Sequence, residues 1–283
     1  MFWKAKHNNP IELYKLFKTL SSILDTFKIN ICNDGISILQ MDNIHVSVLD
    51  IFLDKDDFSE YEFSKEQNIV LNSENFCKAL SLSEKIDSIT FSLKNEHSNK
   101  LDIIYTNESR KSKMSLHLIE PDNLEISTPN IDYNIELDMS IGRFNKICKN
   151  LLQFGSKNIK FKSNSENQEI IILGESDMGN IEIILKETNK KIKRKVNIKK
   201  KINNGFELET KEINSKKEII INKFVKNITS TFCLEYINKI LSMSYLSSRV
   251  NIGLSEDTPI EIQIYFFKNS YLNYYIAPKI DDI

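Results

Sequence analysis

The stretch from Asn33 to Leu53, NDGISILQMDNIHVSVLDIFL, limits the fold more tightly than any other part of the chain. Asn33-Asp34-Gly35 is a turn signal, because glycine adopts positive φ without strain and Asn and Asp tolerate it. Beyond it Ile36, Ile38 and Gln40 alternate with Ser37 and Leu39, the period of a strand with one covered face. After Met41-Asp42-Asn43 the alternation resumes, with His45, Ser47, Leu49 and Ile51 on one face and Val46, Val48, Asp50 and Phe52 on the other. This second strand is partly apolar on both faces, so one face belongs to a core and the other leaves a small apolar socket at the surface.

The rest of the chain predicts a scaffold for that pair. From Pro10 to Leu24, residues Leu13, Leu16, Phe17, Leu20 and Leu24 share one helical face, with Lys15, Lys18 and Ser22 opposite and Pro10 in the first turn. Asn72 is suited to cap a second helix that buries Phe76, Ala79 and Leu80 and turns Lys78 and Ser81 outward. Alternating strands follow at 88–93, 101–105 and 113–118. Ser140 then opens a third helix, with Phe144, Ile147, Cys148, Leu151 and Phe154 against Lys146, Lys149, Asn150 and Gln153. Strands at 158–161, 169–173 and 180–185, a fourth helix near 234–243, and strands at 249–254 and 260–267 complete the pattern. The order of helices and strands therefore repeats, over about 1–117 and 135–283, around a Pro-containing connector at 118–134, LIEPDNLEISTPNIDYN.

Composition excludes some functions. The 283 residues, 41% hydrophobic and 27% charged, suit a soluble globular protein, and a formal net charge of -1 excludes a uniformly basic nucleic-acid binder while permitting local basic stripes. The N-terminus, MFWKAKHNNP, has no apolar run of signal-peptide length, and no stretch approaches the roughly 20 apolar residues that span a bilayer, so the expected location is intracellular. Cys32, Cys77, Cys148 and Cys233 have no ligand spacing, three of them fall on predicted helices, and they read as small buried hydrophobes. There is no HExxH, GxSxG or phosphate-cradling glycine loop, and His7, His45, His97 and His117 are isolated. Glu175 and Asp177 read as a solvated loop, so no catalytic residue, metal or cofactor is expected.

DGISILQMDNIHVSVLDIFL closely resembles the core signature of the proliferating cell nuclear antigen family of DNA sliding clamps, and LNYYIAPKI at 272–280 resembles that family's C-terminal tail. FNKICKNLLQFGSKNIKF and GESDMGNIEIIL extend the resemblance over nearly all of the chain except about 188–226. It implies an α+β DNA-clamp fold, with helices on one face of antiparallel sheets in each of two similar domains that assemble into a homotrimeric ring. It also implies a processivity factor without catalytic activity, with duplex DNA, a DNA polymerase, a clamp loader and proteins bearing clamp-interacting peptides as partners. A nuclear location, or a viral replication site, goes with that role in replication and repair. By the same resemblance, Lys15, Lys78, Lys146 and Lys149 match basic channel positions, with Lys18 and Lys239 on neighbouring turns. Tyr14, Ser21, Ser81, Glu235 and Ser242 stand where the family is basic. The partner-peptide pocket maps to Met41, His45, Val46, Ile126, Thr128, Pro129, Tyr133, Pro259, Tyr275, Ala277, Pro278, Lys279 and Ile280, with Thr128 at a usually aliphatic position. Trimer edges map to Lys113, Met114, Ser115 and Leu116 and to Asn180, Ile181, Glu182 and Ile183.

The rivals are a checkpoint-type heterotrimeric clamp subunit, a monomeric or dimeric viral processivity factor and, in another class, an enzyme on a similar scaffold. Retention of both QMDNIHV and APKI speaks against the first two. The resemblance leaves one segment unexplained, the basic run KKIKRKVNIKKK at 190–201. Ile192, Val196, Ile198 and Ile202 predict a hairpin with Phe206 to Leu208 across Asn203-Asn204-Gly205, either simply solvated or adding phosphate contacts beside the channel.

Overall fold

Strand alternation and helical periodicity are both realised, in the same order in each half. The structure, a computed structural model, describes residues 2–84, 87–120, 126–187, 193–202, 205–214 and 218–279. The first half runs β1 (Trp3–His7), α1 (Pro10–Leu20), β2 (Thr26–Cys32), β3 (Gly35–Met41), β4 (Ser47–Asp54), a 3-10 turn (Lys55–Asp57), β5 (Glu60–Phe63), β6 (Gln67–Asn72), α2 (Ser73–Leu80), β7 (Ser88–Leu93), β8 (Lys100–Thr106) and β9 (Lys111–His117). The second runs β10 (Ile135–Ser140), α3 (Ile141–Gln153), β11 (Asn158–Asn164), β12 (Glu169–Ser176), β13 (Gly179–Lys186), β14 (Lys193–Ile202), β15 (Gly205–Asn214), β16 (Ile219–Phe224), β17 (Thr229–Cys233), α4 (Leu234–Leu241), β18 (Arg249–Leu254), β19 (Ile260–Phe266) and β20 (Ser270–Ile276). With β14, β15 and the 3-10 turn set aside, the two halves correspond element by element.

Sheet order carries the same duplication. The order β5-β1-β7-β8-β9 in one sheet recurs as β16-β10-β18-β19-β20, and β13-β12-β11-β17 recurs as β4-β3-β2-β6. The two inner modules are joined: β20 pairs antiparallel with β4, making one nine-stranded sheet across both halves. Their counterparts, β9 and β13, each pair on one side only and end their sheets. The inserted β14 and β15 pair as an antiparallel hairpin, with Lys201 opposite Phe206 and Lys199 opposite Leu208. Lys190, Lys191, Ile192, Asn203 and Asn204 lie outside the described residues.

The core lies between the helices and the sheets. α1 buries Leu13, Leu16, Phe17 and Leu20, and α3 buries Phe144, Ile147, Cys148 and Leu151. Each of the leucine, isoleucine and phenylalanine side chains contributes about 1.5–3 kcal/mol on burial. Asn9 caps α1 through the Glu12 N–H, Pro10 takes the first helical position, and the Asn72 side chain accepts from Asn75 N–H at the head of α2. Polar contacts also fix the halves against each other. Thr19 Oγ1 lies 3.0 Å from Ser242 Oγ between α1 and α4, and the Asp57 carboxylate accepts from the Lys268 and Asn269 N–H groups at the β19–β20 turn.

Three expectations need adjusting. Cys77 and Cys148 are helical, whereas Cys32 ends β2 and Cys233 ends β17, so two cysteines rather than three sit on helices. Ser140 is the cap position of α3 but makes no capping bond through its side chain. His45 does not continue the alternation of β4. It is exposed at φ 59°, in a left-handed turn, because Asp42 captures the following N–H groups and the strand begins at Ser47.

Candidate functional site

The four helices form one layer in the order α2, α1, α4, α3, with their apolar faces on the sheets. The periodicity that buries one face leaves the lysines on the other. Lys15, Lys18, Lys78, Lys146 and Lys149 are exposed and Lys239 is half-buried. Their surroundings differ. Lys78 lies 2.7 Å from Glu74 and Lys239 lies 3.7 Å from Glu235, each one turn earlier on its own helix. Such exposed pairs contribute little to stability, but they offset local positive charge. The ammonium groups of Lys15, Lys18 and Lys239 stand over the rings of Tyr245, Tyr14 and Tyr236 at 5.0, 5.6 and 5.0 Å. Lys146 and Lys149 make no ion pair or ring contact among the described residues.

The socket is built at the opposite face of the nine-stranded sheet. Asp42 Oδ1 accepts the Val46 and Ser47 N–H groups at 2.8 and 2.7 Å, and the His45 N–H donates to the Asp42 carbonyl at 3.1 Å. This closes the turn between β3 and β4 and leaves Ile44, at 66% exposure, on its crest. Val46 accepts the Ala277 N–H at 2.9 Å, so the tail stays paired with the turn beyond β20. The Lys279 N–H then donates to Thr231 on β17 at 2.8 Å, and the tail crosses to the four-stranded sheet. Along one register row of the outer face stand Met41, Val48, Tyr275 and Glu261. Tyr133 lies over Gly253, where an added Cβ would come within 2.6 Å of the ring, and its hydroxyl donates to the Pro259 carbonyl at 3.2 Å.

The family described as proliferating cell nuclear antigen matches through its N-terminal domain over residues 1–126 and through its C-terminal domain over residues 127–279. The chain belongs to this family. Proliferating cell nuclear antigen of Caenorhabditis elegans is 25% identical over 285 residues, spanning 99% of this chain and 98% of that protein. The chain is thus a sliding clamp of DNA replication and repair with the α+β clamp fold, a scaffold rather than an enzyme.

In this clamp, Met41 and Tyr275 flank Val48, Val46 pairs with Ala277 of the tail, and Tyr133 joins Pro259 farther along the sheet. Tyr275 and Tyr133, expected in the partner-peptide pocket, are each only 6% exposed, because Glu261 holds one hydroxyl and Gly253 seats the other ring. Ile126 and Pro129 are half-buried and Thr128 is exposed, with no hydrogen bond or ion pair to the socket walls among the described residues. Lys279 is exposed, and Ile280 lies outside the described residues. The connector is instead fastened at its ends, by the Ile119 N–H to Val70 at 2.8 Å and by the Asn134 N–H to Ser255 Oγ at 2.8 Å. Sequence reasoning missed Val48, Asp42 and Glu261 at the socket and the tyrosines beside Lys15, Lys18 and Lys239. Val48 was within reach, since it shares an alternation face with Val46.

Lys113 to Leu116 lie on β9 and Asn180 to Ile183 on β13, with Met114, Leu116, Ile181 and Ile183 half-buried. A groove beside β9, lined by Leu82, Met114, Leu116 and His117 among others, remains open, with Leu82 at 60% exposure. Among the described residues no group of three or more His, Cys, Asp or Glu side chains is placed to hold a metal, and no helix is long and apolar enough to cross a membrane.

Proposed function

We propose that three copies of this chain close head to tail into a ring around duplex DNA, β9 of one against β13 of the next, with the helix layer lining the channel. The observation that carries this reading is the internal joint between β20 and β4. β20 is the counterpart of β9 and β4 of β13, so the molecule already contains one copy of the joint it would use between subunits. Carrying the internal register across sets Met114 opposite Ile181, Ser115 opposite Asn180 and Lys113 opposite Glu182. A head-to-tail contact closes a ring when its rotation permits, and duplicated halves give three chains pseudo-sixfold symmetry. Unpaired edges of this length otherwise invite uncontrolled association.

The six lysines would then meet phosphates without reading sequence, which suits a sliding contact. The socket would hold the short turn of a polymerase or other replication protein, with its aliphatic and aromatic anchors between the β3–β4 turn, the connector and the tail. A clamp loader would open and close the ring, in the nucleus or at a viral replication site. The domains divide at the connector, 1–117 and 135–283 about 118–134, with the insertion at about 188–226 in the second. The test is mass by light scattering, expected at three times the chain's 32.9 kDa, together with retention on nicked circular DNA and loss on linearising it. A monomer at micromolar concentration, or equal retention on linear DNA, would overturn the ring.

A further inference from the structure

Two carboxylates on the outer face of the nine-stranded sheet, beside the socket, have no cation partner among the described residues. Asp50 on β4 and Glu261 on β19 flank β20, opposite Asn273 and Tyr275 respectively. Asn273 Nδ2 donates to Asp50 Oδ2 at 3.3 Å, and the Tyr275 hydroxyl donates to Glu261 Oε1 at 2.9 Å. Asn273 Oδ1, on the strand between them, is buried with no donor. Burial raises the pKa of both carboxyls, and the charges of Glu136 and Asp50 raise Glu261 further. Neither acid has an ion-pair partner among the described residues, although carboxylates taken out of water are ordinarily paired.

The first half of the molecule shows the same position with its cation present. By register, Asp102 on β8 corresponds to Glu261 and Lys113 on β9 to Asn273. There the Lys113 ammonium lies 2.7 Å from Asp102. Burial alone would push the Asp102 carboxyl up, and hydrogen bonds from Lys113 and Ser115 more than reverse it. In the second half the lysine is replaced by an amide, and the acid is left beside the socket. The connector carries no cation to supply, since 118–134 contains Glu120, Asp122, Glu125 and Asp132 and no lysine or arginine.

We propose that the missing cation comes from the partner: the socket selects peptides in which a lysine or arginine accompanies the apolar anchors, its head held by Glu261 and Asp50 beside Tyr275. This rests on the reading of the socket as a peptide site and adds the class of peptide it prefers. The ammonium or guanidinium would take up the open carboxylate lone pairs as charge-assisted hydrogen bonds. Met41, Val46 and Val48 would receive the apolar anchors alongside.

The test uses a set of synthetic peptides that share one aliphatic and two aromatic anchors, with a single lysine moved through the other positions of a glutamine background. Binding to the full chain is read by fluorescence anisotropy. One lysine position should tighten binding about tenfold, and that gain should vanish in the Asp50→Asn, Glu261→Gln double variant, which keeps acceptors for Asn273 and Tyr275. An equal lysine gain in both proteins, or no gain at any position, overturns the inference while leaving the socket in place. Failure of every peptide to bind the wild-type chain overturns the socket itself. Should the double variant not fold, the wild-type chain decides: glutamate at the selected position must weaken binding more than glutamine does, and equal weakening overturns the charge assignment.

Discussion

At the level of single residues the socket turn depends on Asp42, a 5% exposed carboxylate that accepts two successive backbone N–H groups. Asp42→Ala would leave the buried Ser47 N–H without an acceptor, which costs about 1–3 kcal/mol. The variant should melt earlier and lose anchored peptide about tenfold or more, while Asp42→Asn, keeping one acceptor oxygen, should fall between. Calorimetry and anisotropy on the same preparations check both, and unchanged peptide affinity in Asp42→Ala would show that the turn does not shape the site. His7 makes a second residue-level prediction. It is 6% exposed between Phe58 and Phe267, its Nδ1 accepts the Asn9 N–H, and burial lowers its pKa below the ordinary 6.5. The unfolded chain therefore binds the proton first, so this group's stabilisation is present above about 6.5 and is lost as pH falls toward the lower folded value. Wild type should lose more melting temperature than His7→Gln on acidification through that window, and parallel curves would refute it. The alternation of Ile36, Ile38, Leu49 and Ile51 made the strand faces legible in sequence. The capture by Asp42 was not, because an acid before a strand reads equally well as a solvated turn.

Among the elements, the helices were the most legible, since each repeats its apolar residues over two or more turns. β1 and β10 were not anticipated: five or six residues next to a helix start carry too few alternations to stand apart from a loop. Their roles come from non-local pairing, β1 between β5 and β7 and β10 between β16 and β18. The helix layer also ranks the lysines in a way their spacing did not. Lys78 and Lys239 share their charge with Glu74 and Glu235, whereas Lys146 and Lys149 on α3 answer to no acid among the described residues. Replacing Lys146 and Lys149 with Ala should therefore weaken DNA binding more than replacing Lys78 and Lys239, and lower the log-log salt slope by roughly 0.9 for each phosphate no longer neutralised. Binding measured across a salt series decides it, and equal slopes for the two double variants would refute the ranking. The hairpin of β14 and β15 offers a comparison at the same scale. Deleting 190–215 should leave the number of chains in the assembly unchanged and reduce DNA affinity most at low salt, where charges act farthest.

For the whole molecule, the decisive joint had no local signal at all. Asp50 and Asn273 meet across 223 residues of sequence, and only the assembled sheets reveal that β20 and β4 are a finished version of what β9 and β13 leave open. That equivalence would make the proposed ring polar, because every chain offers one edge of each kind. Met114 on β9 and Ile181 on β13 are half-buried, face each other in the transferred register, and tolerate a polar replacement within the isolated chain better than a core residue would. Met114→Asp should spoil one edge and Ile181→Asp the other, so that each variant alone has the 32.9 kDa mass of a single chain. Mixing the two restores a single sound joint, between the intact β13 of the first variant and the intact β9 of the second. The remaining two edges are both spoiled, so growth stops at two chains. Light scattering of the equimolar mixture should thus report a dimer that neither variant forms alone, with no trimer and no retention on nicked circular DNA. A trimer in either pure variant, or no dimer in the mixture while both melt like wild type, would mean that the subunits do not meet through β9 and β13.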